Sequence, residues 1–133
     1  MILENKYSEI LSKISYAQLL KIKVNIDSEK VIFVLPENEM NIGNSLIKAL
    51  HGGAIAGFME TAGVAYLMVA SDTFKFPKII NISIDYLRSG SLKDLFADCV
   101  ITRQGNRVAN VSVRCWHTAT NCLIATSRMH FLL

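Results

Sequence analysis

The apolar and polar positions divide the chain into an amphipathic start, one long apolar centre and a series of alternating segments. Residues 7–20, YSEILSKISYAQLL, place Ile10, Leu11, Ile14 and Leu19 near helical spacing, which predicts a short amphipathic helix. In LLKIKVNI, Leu20, Ile22, Val24 and Ile26 alternate with Lys21, Lys23 and Asn25, the period of a strand. DSEK reads as its turn, and VIFVL as a second strand ended by Pro36. Residues 37–50 show neither period and read as an irregular loop around Gly43 and Asn44. From His51 to about Ser71 the pattern is apolar nearly all round, predicting a helix buried on most sides and roughly 30 Å long.

The rest of the chain alternates. KIINISIDYLRSG sets Ile80, Ile82, Ile84 and Tyr86 against Asn81, Ser83 and Asp85. DLFADCVITRQ, RVANVSVRCWHT and NCLIATSRMHFLL follow, joined by the short QGN and TAT turns, and predict an antiparallel meander. In the second of these, Ala109, Val111, Val113 and Cys115 share one face, which puts Trp116 on the more polar face, free to pack at a subunit contact. One long buried helix against a mostly antiparallel sheet is an α+β layout. The absence of a linker or repeat makes residues 1–133 a single domain.

Composition narrows the function classes. Hydrophobic residues make up 51% of the chain, enough for a packed core, and charged residues 19%, which argues against disorder. The net charge of +3 comes without a Lys/Arg stripe, so no nucleic-acid partner is expected. Residues 54–70 are apolar enough to span a membrane, but Glu60 at their centre would be costly in lipid, so no membrane partner is expected either. Cys99, Cys115 and Cys122 form no CxxC and read as free thiols, small and buried. MILENKYSEI carries Glu4 and Lys6 where a signal peptide needs an apolar run, so a cytoplasmic location is expected.

The least ordinary segment is ALHGGAIAGFMETAG, residues 49–63, with one acid, Glu60, inside its apolar run. Together with ISIDYLRSG it resembles the two signatures of hotdog-fold acyl-CoA thioesterases of the phenylacetate-degradation (PaaI-like) type. The likeness covers about residues 20–133 in the family's order: loop, HGG helix, YLR strand, meander. It implies a curved antiparallel sheet wrapped around one long central helix. It also implies a homodimer, with dimers often paired into tetramers, that hydrolyses acyl-CoA at the protomer interface without cofactor or metal.

The chemistry of thioester hydrolysis assigns the residues of the HGG helix. Orphan N–H groups at a helix N-terminus favour negative charge, which makes the Gly52 N–H a candidate oxyanion donor, with Gly53 allowing close approach. His51 orients that loop, hydrogen-bonds the substrate or simply caps the helix. Glu60 takes the acid's role of the resembled family, as general base or nucleophile. Nine residues of helix rise roughly 13 Å, so one chain's Gly52 and Glu60 cannot both touch one carbonyl. Two antiparallel copies of the helix would bring Gly52 of one beside Glu60 of the other, giving a site shared between subunits.

The chain departs from the resembled pattern in two places. Relatives carry Asn or Gln six residues before the histidine, where this chain has Ser45, with Asn44 one position earlier to substitute. Relatives also carry Ser or Thr four residues after the acid, where this chain has Val64; Thr61 is the nearest hydroxyl. The loss at Val64 supports an alternative, a non-catalytic module that binds acyl-CoA or a fatty-acyl group. The CoA phosphates call for cations: Arg88 at the end of the YLR strand first, then Arg103 and Arg107 around the QGN turn, and Lys78. The acyl group itself is not legible in the sequence, because its pocket draws on residues of two chains such as Phe58, Met59, Tyr66 and Met68.

Overall fold

The computed structural model describes residues 2–133. It is α+β, as the alternation predicts. Two short helices, α1 (Ile2–Ser12) and α2 (Ser15–Leu20), precede strands β1 (Lys23–Asp27) and β2 (Lys30–Leu35). A 3₁₀ turn (Glu39–Asn41) leads into a small hairpin, β3 (Ile42–Asn44) and β4 (Ala49–Leu50). The long helix α3 runs from Gly52 to Ala70. Strands β5 (Lys78–Tyr86), β6 (Leu95–Gln104), β7 (Val108–Trp116) and β8 (Leu123–Leu132) complete the chain.

Six strands form one sheet in the order β1-β2-β6-β7-β8-β5, and every neighbouring pair is antiparallel. The predicted meander is its β6-β7-β8 centre. The predicted alternation sets the inner face: Ala109, Val111, Val113 and Cys115 of β7 are all buried; all four pair with buried residues of β8, and Val113 and Cys115 pair with buried Cys99 and Ala97 of β6. Helix α3 lies against this face through Phe58, Met59, Ala62 and Ala65, each essentially inaccessible to solvent. Helices α1 and α2 cover α3 from the other side, and Tyr7 of α1 meets Phe33 of β2 edge to face at 5.5 Å between centroids. The helix is long and apolar enough to cross a membrane, yet 56% of that stretch is buried within the protein. A core helix passes the same length test, and the sheet supplies the burial that lipid would otherwise give.

Several local expectations need correction. The amphipathic segment 7–20 is two helices, broken where Ile14 turns extended (φ −103°, ψ 107°); Gln18 Nε2 donates across the break to the Leu11 carbonyl at 2.9 Å. The stretch 37–50 is not wholly irregular, since it contains the 3₁₀ turn and the β3-β4 hairpin. In β5 a bulge between Ile79 and Asn81 interrupts the alternation, so Ile82 and Ile84 are half-buried while Ile80 is more than half exposed; Tyr86, in phase with Ile82 and Ile84 but at the strand's end, is more than half exposed as well. Trp116 is buried rather than offered to a subunit contact. An irregularity in the β7-β8 register at Cys115/Trp116 accompanies the burial of both side chains, and the indole lies 6.5 Å from the Phe96 ring. Cys122 is exposed, in the turn before β8, and only Cys99 and Cys115 are core residues.

Candidate active site

The junction where α3 begins is tied down from several sides. The Leu50 N–H donates to the Gly90 carbonyl at 3.0 Å, and the His51 N–H donates to the Asn41 carbonyl at 2.8 Å. His51 is the N-cap, with extended backbone (φ −64°, ψ 129°), and its Nδ1 accepts the Gly53 N–H at 2.9 Å. Its carbonyl accepts from Ala54 and Ile55 at 3.0 and 3.2 Å. The first N–H groups of a helix lack intrahelical partners, and here these contacts use them up almost completely. The exception is Gly52, the first helical residue, whose N–H has no partner among the described residues.

That free donor stands at the positive end of a nineteen-residue helix. Gly52 is half-buried and lines a hollow of about 380 Å³ together with Leu50, Ile55, Tyr86 and Arg88. A backbone N–H held in place at a helix N-terminus is suited to a charge that develops on a carbonyl oxygen. On the other side of the junction, His51 and Gly53 line a groove of about 550 Å³ with Tyr16, Leu19 and Met40. Of its three expected roles, the geometry shows His51 capping the helix. Because Nδ1 accepts, the neutral ring carries its proton on Nε2. The glycine at 53 is required by this cap, since a Cβ there would lie 2.9 Å from His51 Cε1 and Nδ1.

Glu60 is not buried in the core. It is half-exposed, on a stripe of α3 formed by Gly53, Ala56, Gly57, Glu60 and Val64, none of which is fully buried. It has no hydrogen-bond or ion-pair partner among the described residues. The apolar run around it belongs to the other faces of the helix. Thr61, one residue on, is buried on a different face and does not share Glu60's stripe. Val64 lies one turn beyond Glu60 on the stripe and carries no hydroxyl.

The remaining predicted residues are dispersed. Arg88 lines the Gly52 hollow, and its Nη1 donates to the Leu123 carbonyl at 2.7 Å, which anchors the guanidinium. Asn44 ends β3 and Ser45 begins the β3-β4 turn, both exposed, and Asn44 Oδ1 accepts from the Leu46 N–H at 3.1 Å; neither lines the Gly52 hollow. Arg103 and Arg107 flank the β6-β7 turn, which approaches the opposite end of α3 through a Gln104 Nε2–Ser71 Oγ hydrogen bond of 2.6 Å. Lys78 starts β5 and is likewise remote from Tyr86 at that strand's other end. Three contributors escaped sequence reasoning: the Asn41 and Gly90 carbonyls, and Tyr86, whose hydroxyl donates to the Gly52 carbonyl at 2.7 Å. Tyr86 stood in the YLR signature, which drew attention to Arg88 instead.

Residues 48–123, which hold this junction, the acid and most of the sheet, match the family described as the thioesterase superfamily. Among solved structures, a protein from Chromobacterium violaceum is 39% identical, over 97% of this chain and 90% of its own, with a TM-score of 0.76. Thioesterase superfamily member 2 from Mus musculus superposes with a TM-score of 0.80 at 21% identity, covering 100% of this chain and 98% of its own. The E. coli PaaI protein from the phenylacetic acid degradation operon gives 0.76 at 18% identity, covering 96% and 95%. No curated protein matches the sequence. The expected hotdog architecture, a large antiparallel sheet around a central helix, is thus the fold shared with these neighbours. The family match across the HGG junction, the acid-bearing helix and strands β5 to β7 establishes that the chain belongs to the thioesterase superfamily.

Proposed function

We propose that the protein hydrolyses acyl-CoA thioesters to free acid and CoA at a site shared by two subunits. The free Gly52 N–H carries this reading: it is the unspent donor of a fully tied junction. The thioester carbonyl oxygen sits against it, and the negative charge of the tetrahedral adduct develops there. Glu60 of the second subunit supplies the other half. Its carboxylate takes a proton from water, whose oxygen bonds to the carbonyl carbon, or attacks that carbon itself to form an anhydride that water then cleaves. In the first route the proton taken up by Glu60 passes to the CoA sulfur as the C–S bond breaks; in the second CoA leaves as the thiolate, and the water that then cleaves the anhydride supplies its proton. Either role needs an unpaired carboxylate, and Glu60 has no partner among the described residues.

Two features support the dimer. Gly52 and Glu60 of one chain are two helical turns apart, too far to share a carbonyl. Strand β5 is a nine-residue sheet edge with exposed Ile79 and Ile80, the kind of surface a second copy covers by strand pairing. Its last residue, Tyr86, touches Gly52, so a copy paired along β5 lies next to the helix N-terminus. Arg88, in the same hollow, is the cation offered to the CoA side of the substrate; Arg103 and Arg107 would reach it only from the other subunit.

The test is turnover of a panel of acyl-CoA thioesters, short, long and aromatic, by the wild type and Glu60→Gln. The wild type should hydrolyse at least one class, and the variant should lose roughly 10²–10⁴-fold in kcat, the usual contribution of a general base. Equal rates for the two proteins would remove Glu60 from the chemistry. Saturable binding without turnover by the wild type would select the alternative that Val64 favours, a non-catalytic acyl-CoA or fatty-acyl binding module.

A further inference from the structure

The Gly52–Gly53 peptide group is held at both ends by side chains distant in sequence or folded back upon it. Its carbonyl oxygen accepts the Tyr86 hydroxyl at 2.7 Å, and its N–H donates to His51 Nδ1 at 2.9 Å. The Tyr86 ring lies along the glycine, where an added Cβ would sit 3.4 Å from the phenol oxygen. A helix's first residue has no N–H bond of its own to fix its orientation, and glycine has no side chain to restrict its dihedrals. The peptide plane that carries the Gly52 N–H is held on one side, where the His51 carbonyl accepts from Ala54 and Ile55. Tyr86 holds the plane on the other side of the Gly52 Cα from the end of β5, thirty-four residues away.

We infer that Tyr86 is a positioning residue for the oxyanion donor. Its hydroxyl fixes the Gly52 carbonyl, and with the His51 carbonyl held by Ala54 and Ile55 this locks both peptide planes that meet at Gly52, and with them the direction of its N–H. It also draws electron density from the shared peptide group, which strengthens the Gly53 N–H bond to His51. The hydroxyl is already donated to Gly52, so Tyr86 does not act as the proton donor of the reaction. This inference rests on the thioesterase reading, because only there does the direction of the Gly52 N–H matter.

Tyr86→Phe removes the hydroxyl and keeps the ring, and the residue is 52% exposed, so the fold should survive. Two readouts apply to the full-length protein. The first is kcat and KM on the best acyl-CoA of the panel: kcat should fall roughly tenfold with KM nearly unchanged, because misaim weakens the transition state and not ground-state binding. The second is the amide spectrum, in which the Gly52 and Gly53 signals should move and exchange faster while those of Ala62 and Ala65 stay in place. Unchanged kcat in a folded Tyr86→Phe overturns the positioning role and leaves the thioesterase reading intact. Unmoved Gly52 and Gly53 signals overturn the clamp, whatever the rate. Wild-type protein inert on every thioester overturns the thioesterase reading and the positioning role with it.

Discussion

At the scale of single residues, the site depends on which donors are already spent. Leu50, His51, Gly53, Ala54 and Ile55 all direct their N–H groups at acceptors within the chain, and Gly52 has no such acceptor among the described residues. That difference gives a direct substitution. Gly52→Pro deletes only the free N–H, and proline is well tolerated at the first position of a helix. The preceding residue already has the extended backbone that proline imposes, with His51 at φ −64° and ψ 129°. A Cβ at 52 meets only ordinary van der Waals contact with Tyr86. The variant should therefore fold with a thermal midpoint close to the wild type's and lose roughly 10²–10³-fold in kcat, as measured for other lost oxyanion donors. A folded Gly52→Pro with full activity would place the oxyanion elsewhere. The residue pair HGG and its acid were legible in the sequence because each has an unusual type in an unusual place. Asn41, Gly90 and Tyr86 were not, because their contributions to the junction are made across loops and strands that only the fold brings together.

At the scale of elements, α3 and the meander were the easiest to read. An uninterrupted apolar run without proline gave α3 to within a residue or so of its limits, Gly52 and Ala70. Strict alternation likewise gave the inner face of β7. Elements whose pattern is overridden by neighbours were harder. The β3-β4 hairpin has no alternation, and its base is held by the Asn41–His51 bond. The β5 bulge moves Ile80 outward, and Trp116 is buried at the β7-β8 register irregularity. The strands also divide the three thiols. Cys99 and Cys115 face the core from β6 and β7, and burial pushes the Cys115 thiol up to about 12 and Cys99 well above the ordinary thiol range. Cys122 is exposed in a turn. A thiol reagent at pH 8 should therefore modify Cys122 alone in the native protein and all three thiols in denaturant, which mass spectrometry reads directly. Rapid native labelling of Cys99 or Cys115 would show that the sheet opens at its centre.

At the scale of the whole molecule, the donor and the acid of the proposed site stand apart within the protomer. Gly52 and Arg88 share one hollow, while Glu60 stands two turns along α3 on a stripe rich in small residues. Glycine and alanine at positions 53, 56 and 57 let another surface come close, and α2 already uses part of that access by laying Tyr16 against Gly57. The distance between donor and acid was legible from helix geometry alone. What the sequence could not give was which face of α3 Glu60 occupies, because an apolar run hides the stripe until the sheet and α1–α2 claim the other sides.

Subunit sharing is the central claim, and complementation between two inactive variants tests it. Gly52→Pro and Glu60→Gln are co-expressed with different tags, and the mixed dimer is isolated by tandem purification. A shared site leaves that dimer one intact pair, Gly52 from the Glu60→Gln chain and Glu60 from the Gly52→Pro chain. It should recover about half the wild-type rate per dimer, as two-fold symmetry requires, although each parent is nearly inert. A mixed dimer as inactive as its parents would mean that donor and acid act within one chain, and the shared site would have to be abandoned.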